Sequence, residues 1–292
     1  MFLGFVFALL SAIFLSLYIV PKKFSKLEPC VYNLFIGIGY FITSIIFVII
    51  LVLTNNFHEK IFSVYALYSI LDGILWVLAS ICFLKCIDTL GITRASTFKN
   101  LQGPISAILF LFILSEYKSL NVGFIFIALI LIFISQILFN FNSNSEQKLS
   151  VKGMIYGILA SIFFSFNALV RKVCALQNLV YIGQVYASLT IVILSFIILL
   201  FKNKINKKVF TDKQNKYGYL SGIFYFFASM FMVLSYSYIS GTITSTITKL
   251  SGLITIFIGI VFFKEIDFKK HYVRILLGSL SIILAVAILF FA

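Results

Sequence analysis

The sequence predicts an all-α integral membrane protein of ten transmembrane helices, arranged as two inverted five-helix repeats. Three observations predict it. Of 292 residues, 62% are hydrophobic and 11% charged, with a mean hydropathy of +1.12, whereas a soluble domain is about half apolar and a quarter charged. Polar breaks divide the chain into ten apolar runs, close to the roughly 20 residues that cross a bilayer core of about 30 Å. Finally, a shift of 149 residues lays the first half over the second without gaps.

The runs fall at 4–20, 32–53, 65–86, 93–114 and 122–139, then 153–170, 180–201, 217–238, 242–263 and 272–291. The first lacks a basic leader and a small-residue cleavage site before Pro21, so it reads as a span and not a removable signal. None shows the period-2 alternation of a barrel strand, which leaves helices as the spanning element.

The offset is clearest in the fourth and ninth runs, "TRASTFKNLQGPISAILFLFILSE" and "TITSTITKLSGLITIFIGIVFFKE". Thr93 falls on Thr242, Ser96 on Ser245, Thr97 on Thr246, Leu101 on Leu250, Gly103 on Gly252 and Glu116 on Glu265. Elsewhere Gly4 pairs with Gly153, Ser16 with Ser165, Lys23 with Lys172, Gly73 with Gly222, and the lone Trp76 with Tyr225. The repeats are 1–143 and 150–292, within one membrane domain. Five spans is an odd number, so a second unit of like fold enters the membrane from the opposite side. That is the inverted repeat of secondary transporters, whose site lies near the midplane between halves.

Connections after odd-numbered spans hold 16 basic residues: Lys22, Lys23, Lys26, Arg94, Lys148, Lys152, six lysines from Lys202 to Lys216, Lys264, Lys269, Lys270 and Arg274. The other side has Lys60, Lys118, Arg171 and Lys172. The rich side is therefore predicted cytoplasmic, in a cell membrane, with both termini outside. A net charge of +14 then reflects loops facing lipid headgroups, and no nucleic-acid partner is implied.

Several stretches resemble a known family. The duplication, ten-span length and paired glutamate-ended spans are similar to the drug/metabolite transporter superfamily of EamA-type permeases. Within it, "SILDGILWVLASICFLKCIDTLGITRAS" and "LSGIFYFFASMFMVLSYSYISGTITS" resemble matching regions of the glucose/ribose uptake porters, as does "YIVPKKF" at the end of span one. The resemblance implies transport of a sugar or other small polar metabolite. Two family tryptophan positions differ: the stretch Phe14 to Ser16 replaces a Trp-Gly pair, and Tyr225 stands for the second-half tryptophan.

Ionisable residues inside spans are costly, about 2.5–3.5 kcal/mol each, and mark functional cavities. Here they are Lys85, Lys99 and Lys249, with Asp72 as the embedded acid. Lys99 and Lys249 precede Glu116 and Glu265 by 17 and 16 residues, roughly 25 Å along a helix. They either snorkel to the interface or anchor an anionic substrate group. In the second case Asn100, Gln102, Thr248 and Ser251 complete the recognition, with Trp76, Tyr225 and Asn167 as further lining, and Gly103-Pro104 as a break in the fourth helix. "TSTITKLSGLITI" also resembles the phosphate-translocating branch of the same superfamily. Asp72 is either solvated near a helix end or a proton-coupling group, since burial raises a carboxyl's pKa. Glu116 and Glu265 are expected to anchor helix ends.

Enzymatic chemistry is not expected. His58 and His271 fall in predicted connections, the four cysteines lack metal spacing, and no phosphate-cradling G-x-x-x-x-G-K-[ST] loop occurs. No cofactor is implied. The expected partners are a small-molecule substrate, membrane lipid, and a proton or counter-substrate. The function predicted is secondary transport of a sugar or anionic solute by alternating access. Export of amino acids or drugs, and a flippase or assembly role for a lipid-linked glycan, are the alternatives.

Overall fold

A computed structural model describes residues 2–139, 150–204, 207–264 and 268–291, and all regular structure within them is helical. Helix α1 (Phe2–Leu17) runs into a 3-10 turn at Val20–Phe24, followed by α2 (Pro29–Leu53) and α3 (Ala66–Leu90). A single residue, Gly91, joins α3 to α4 (Ile92–Asn100). Its φ of 80° lies in the left-handed region that a side chain disfavours, so the sharp reversal depends on glycine. Then come α5 (Gln102–Ile113), α6 (Val122–Phe139), α7 (Val151–Leu176) and α8 (Ile182–Phe201). The chain closes with α9 (Lys207–Thr211), α10 (Asn215–Tyr238), α11 (Gly241–Ile247), α12 (Leu250–Val261) and α13 (Phe268–Ile288).

Local chemistry explains several starts. Pro29 opens α2, where its missing N–H leaves no bond unmade. The Ser150 and Ser240 hydroxyls accept the N–H groups of Gly153 and Ile243 at 3.3 and 3.2 Å, capping α7 and α11.

Among the described residues nine stretches are long and apolar enough to cross a membrane, with Gly241–Val261 counted as one. The predicted fourth span, 93–114, is not among them, because it divides into α4 and α5 at Leu101. Pro104 is the physical cause: it has no N–H for the Asn100 carbonyl and its ring crowds that oxygen. The interruption therefore precedes Gly103-Pro104. The ninth span divides at the same level, where Lys249 N bonds Thr246 O and Gly252 N bonds Lys249 O, both 3.0 Å i→i−3 contacts. Such a 3-10 step inside a helix is often a hinge.

Two boundaries differ from expectation in ways that matter. Helix α7 continues to Leu176, so Arg171 and Lys172 belong to a helix and are buried, where the hydropathy pattern left them in a connection. His271 likewise lies within α13. The expectations for Glu265, Lys148 and the repeat boundary at 143 lie outside the described residues.

The principal packing joins early helices to late ones: α3 on α7, α1 on α10, α2 on α8 and α10, and α6 on α13. One large core links α1, α2, α3, α4, α7 and α10 through Tyr18, Tyr40, Trp76, Phe98, Phe164 and Tyr225. The outer surface is apolar, with Ile130, Leu280 and Ile283 exposed, as a lipid-facing surface requires.

Candidate functional site

The core is built around Tyr225 of α10. Its ring centroid lies 4.9 Å from Trp76 of α3, 5.1 Å from Tyr18 and 5.2 Å from Tyr40. The Arg171 guanidinium carbon stands 5.4 Å from the same ring. Trp76 and Tyr225, paired by the 149-residue offset, thus touch one another. All are buried, yet Trp76 Nε1, Arg171 Nη2 and the Tyr236 hydroxyl find no hydrogen-bond partner among the described residues. Buried polar atoms are nearly always bonded, which sets these three groups apart within the core.

One helical turn from Trp76, Asp72 is held by α7. Arg171 Nε donates to Asp72 Oδ1 at 2.8 Å, and Asn167 Nδ2 donates to the Asp72 carbonyl at 2.8 Å and also to its carboxylate. Asp72 is accordingly buried and paired, not solvated, and the carboxyl is already engaged as an acceptor. Lys172 Nζ donates to Tyr236 O at 2.6 Å and Ile239 O at 3.0 Å, satisfying carbonyls at the end of α10. At the other end of α3, Lys22 Nζ lies 3.0 Å from Asp88 Oδ1 and 2.9 Å from Leu27 O.

The broken helices cross beside this centre, α4 against α12 and α5 against α11. A Cβ on Gly103 would stand 2.6 Å from Lys249 Cγ, and one on Gly252 would overlap the Asn100 amide. These are one contact made twice, since both Gly103 and Gly252, and Asn100 and Lys249, are 149 positions apart. The flanking bonds repeat too. Ser16 Oγ donates to Ser251 O at 2.9 Å, and Ser165 Oγ donates to Gln102 O at 3.2 Å.

Neither lysine of the crossing snorkels. Lys99 is 8% and Lys249 3% exposed. Lys99 Nζ donates to Tyr18 Oη at 2.9 Å and lies 4.6, 4.9 and 5.2 Å from the rings of Tyr18, Phe83 and Phe164. Lys249 Nζ donates to Gln102 Oε1 at 3.1 Å, and Gln102 Nε2 to Phe164 O. Thr248 turns its hydroxyl back to Ser245 O, so it serves its own helix. Lys85, half-buried, sits over Tyr156 at 4.9 Å.

A cleft of about 430 Å³ opens at the ends of α5, α7 and α10, lined by Glu116, Ser119, Lys172, Tyr236 and Ser240 among others. Glu116 accepts from Gly241 N, Thr242 N and Thr242 Oγ1 at 2.7–2.9 Å, so it anchors the start of α11 as expected. Tyr236 belongs both to this cleft and to the core of Trp76 and Tyr225.

Sequence reasoning missed three participants. Arg171 was masked by the polar end of its span, and only the aspartate facing it from α3 draws it inward. Tyr18 and Tyr40 are ordinary aromatics in apolar runs, with no sequence signal beyond their type.

Among the described residues, nine apolar stretches of spanning length packed around a buried, hydrogen-bonded polar centre define an integral membrane protein. Comparison narrows this: the model of the family described as "Sugar transport protein" matches residues 32–292, and the chain belongs to that family. A Latilactobacillus sakei subsp. sakei (strain 23K) protein named for ribose uptake, RbsU, is 23% identical over 227 residues, spanning 75% of this chain and 76% of that one. A protein of known crystal structure superposes with a TM-score of 0.72 over 98% of this chain and 94% of its own, at 10% identity. That likeness is one of fold.

Proposed function

We propose that this protein is a secondary active sugar carrier, with ten spans in two inverted five-helix repeats that rock around the Tyr225 centre by alternating access. The observation that carries this reading is the doubled contact at the crossing, Gly103 on Lys249 and Gly252 on Asn100. Two like units meeting through equivalent residues can exchange arrangements at little energetic cost, opening one face as the other closes. The family and the ribose-uptake relative favour a sugar as cargo. Trp76 and Tyr225 offer faces for a sugar ring, while Asn167, Asn100, Gln102 and the orphaned donors offer bonds for its oxygens. In this reading the protein lies in the cell membrane with its Lys/Arg-rich connections in the cytoplasm, and the cleft at Glu116 opens on the opposite face. The drug/metabolite transporter resemblance is consistent with the same architecture. Coupling is to a proton or counter-substrate; Asp72 would take a proton only when Arg171 withdraws.

Reconstitution into proteoliposomes tests this. A carrier gives saturable counterflow of a soluble sugar, strengthened by preloading. Movement of lipid headgroups alone would instead identify a flippase and reject the proposal.

A further inference from the structure

The crossing of the broken helices holds more hydrogen-bond donors than the protein supplies with acceptors. Two ammonium groups and one amide bring about eight N–H bonds. Among the described residues the side-chain acceptors for them are Tyr18 Oη on Lys99 and Gln102 Oε1 on Lys249. Asn100 Nδ2, in a residue 3% exposed, has none. Both lysines gather beside Phe164: Lys99 Nζ lies 5.2 Å from its ring, and Lys249 bonds Gln102, whose amide donates to the Phe164 carbonyl.

No described carboxylate answers this charge. Asp72 is taken by Arg171, Asp88 by Lys22, and Glu28 by Lys202 and Lys204. Glu59 and Glu116 bind backbone N–H groups at helix starts, and Asp212 accepts from Gln214 N. Aromatic faces offset part of the cost at Lys99, but a ring offers no lone pair. Among the described residues no aromatic ring stands over Lys249 as three do over Lys99. Buried charges are retained where something pairs with them. A neutral sugar is a poor match, because each of its hydroxyls brings a proton as well as an oxygen. An oxyanion brings only acceptors.

Resting on the carrier reading, we infer that the substrate is an acidic sugar: its carboxylate or phosphate binds between Lys99 and Lys249, with Asn100 Nδ2 as a third donor. Its ring then lies toward Trp76 and Tyr225. Tyr18 links the two subsites, its hydroxyl on Lys99 and its ring on Tyr225.

The test is counterflow by the full-length protein in proteoliposomes with labelled glucuronate, glucose 6-phosphate, ribose and inorganic phosphate. Binding is followed in parallel through the fluorescence of Trp76, the lone tryptophan. Saturable transport of glucuronate or of glucose 6-phosphate is expected, and which of the two moves assigns carboxylate or phosphate. Lys249→Gln should weaken apparent affinity for that substrate at least tenfold, and Lys249→Arg, which keeps the charge, should restore much of it. Should Lys249→Gln fail to fold, the wild-type substrate profile and the Arg variant still decide. Saturable ribose transport with no response to either acidic sugar overturns the inference and leaves the carrier reading standing. Inorganic phosphate moving without any sugar also overturns it, and saturable movement of no soluble solute overturns both.

Discussion

Lys22 and Arg171, 149 positions apart, neutralise aspartates at opposite ends of one helix. Lys22 Nζ lies 3.0 Å from Asp88, and Arg171 Nε 2.8 Å from Asp72. The aspartates are separated by 16 residues of α3, about 24 Å along its axis. Lys22 sits in the turn that follows α1 and Arg171 near the end of α7, so α3 is tied to the first of these elements near one end and to the second near the other.

The inner pair of this clamp is the costly one to break. Asp72→Asn strands a buried guanidinium, and removing one partner of a buried pair typically costs about 3–5 kcal/mol. The variant should melt well below wild type in detergent, and Asp72→Asn with Arg171→Met should recover part of the loss. A double variant no better than the single one would show that the pair is not the source of the effect.

Asp88 is 40% exposed, and Lys22, though buried, keeps the Leu27 carbonyl as an acceptor, so Asp88→Asn should cost less stability than Asp72→Asn. Its effect should fall on conformation instead, since α3 is freed at one end. Maleimide labelling of buried Cys86, one turn before Gly91, should quicken; an unchanged labelling rate would assign the Lys22 contact to packing alone.

Glu59 gives a pH signature. It accepts from Val180 N, Tyr181 N and Ile182 N at 2.8–3.0 Å, pinning the 54–65 connection to the start of α8. Burial pushes its carboxyl up, outweighing the downward pull of those N–H groups. A carboxyl raised by folding binds its proton more tightly in the native state, so stability falls as pH rises through the folded value. Relative to Glu59→Gln, wild type should therefore gain thermal stability from neutral pH towards mildly acidic pH. Parallel melting curves for the two proteins would contradict this.

Glu116→Ala removes three acceptor contacts from the start of α11. A lost cap costs about 0.5–2 kcal/mol, and Ser240 at the head of α11 lines the cleft, so both melting temperature and transport should drop. Glu116→Gln, keeping one acceptor, should be intermediate.

Gly103→Ala places a methyl group 2.6 Å from Lys249 Cγ. Overpacking of this kind typically costs about 1–3 kcal/mol. Here it should also displace Lys249 from Gln102, lowering transport more than stability; wild-type kinetics would show that the close approach of the two spans is dispensable.

What the sequence determined by itself was what depends on runs of like residues. Apolar lengths near 20 residues dictate membrane helices, because a backbone in lipid must bond within itself. The same logic marked Lys99, Lys249 and Asp72, each a charge within such a run. The 149-residue offset that aligned Gly103 with Gly252 reappears in the contacts those residues make. Partnership was left to tertiary structure. Arg171 and Lys172 looked like a solvated helix end until α3 and α10 supplied Asp72 and the Tyr236 carbonyl. Glu59 carried no signal at all, because its meaning lies in backbone N–H groups more than 120 residues away. Hydropathy is a property of neighbours in sequence, whereas a buried charge is stabilised by whatever packs against it in space.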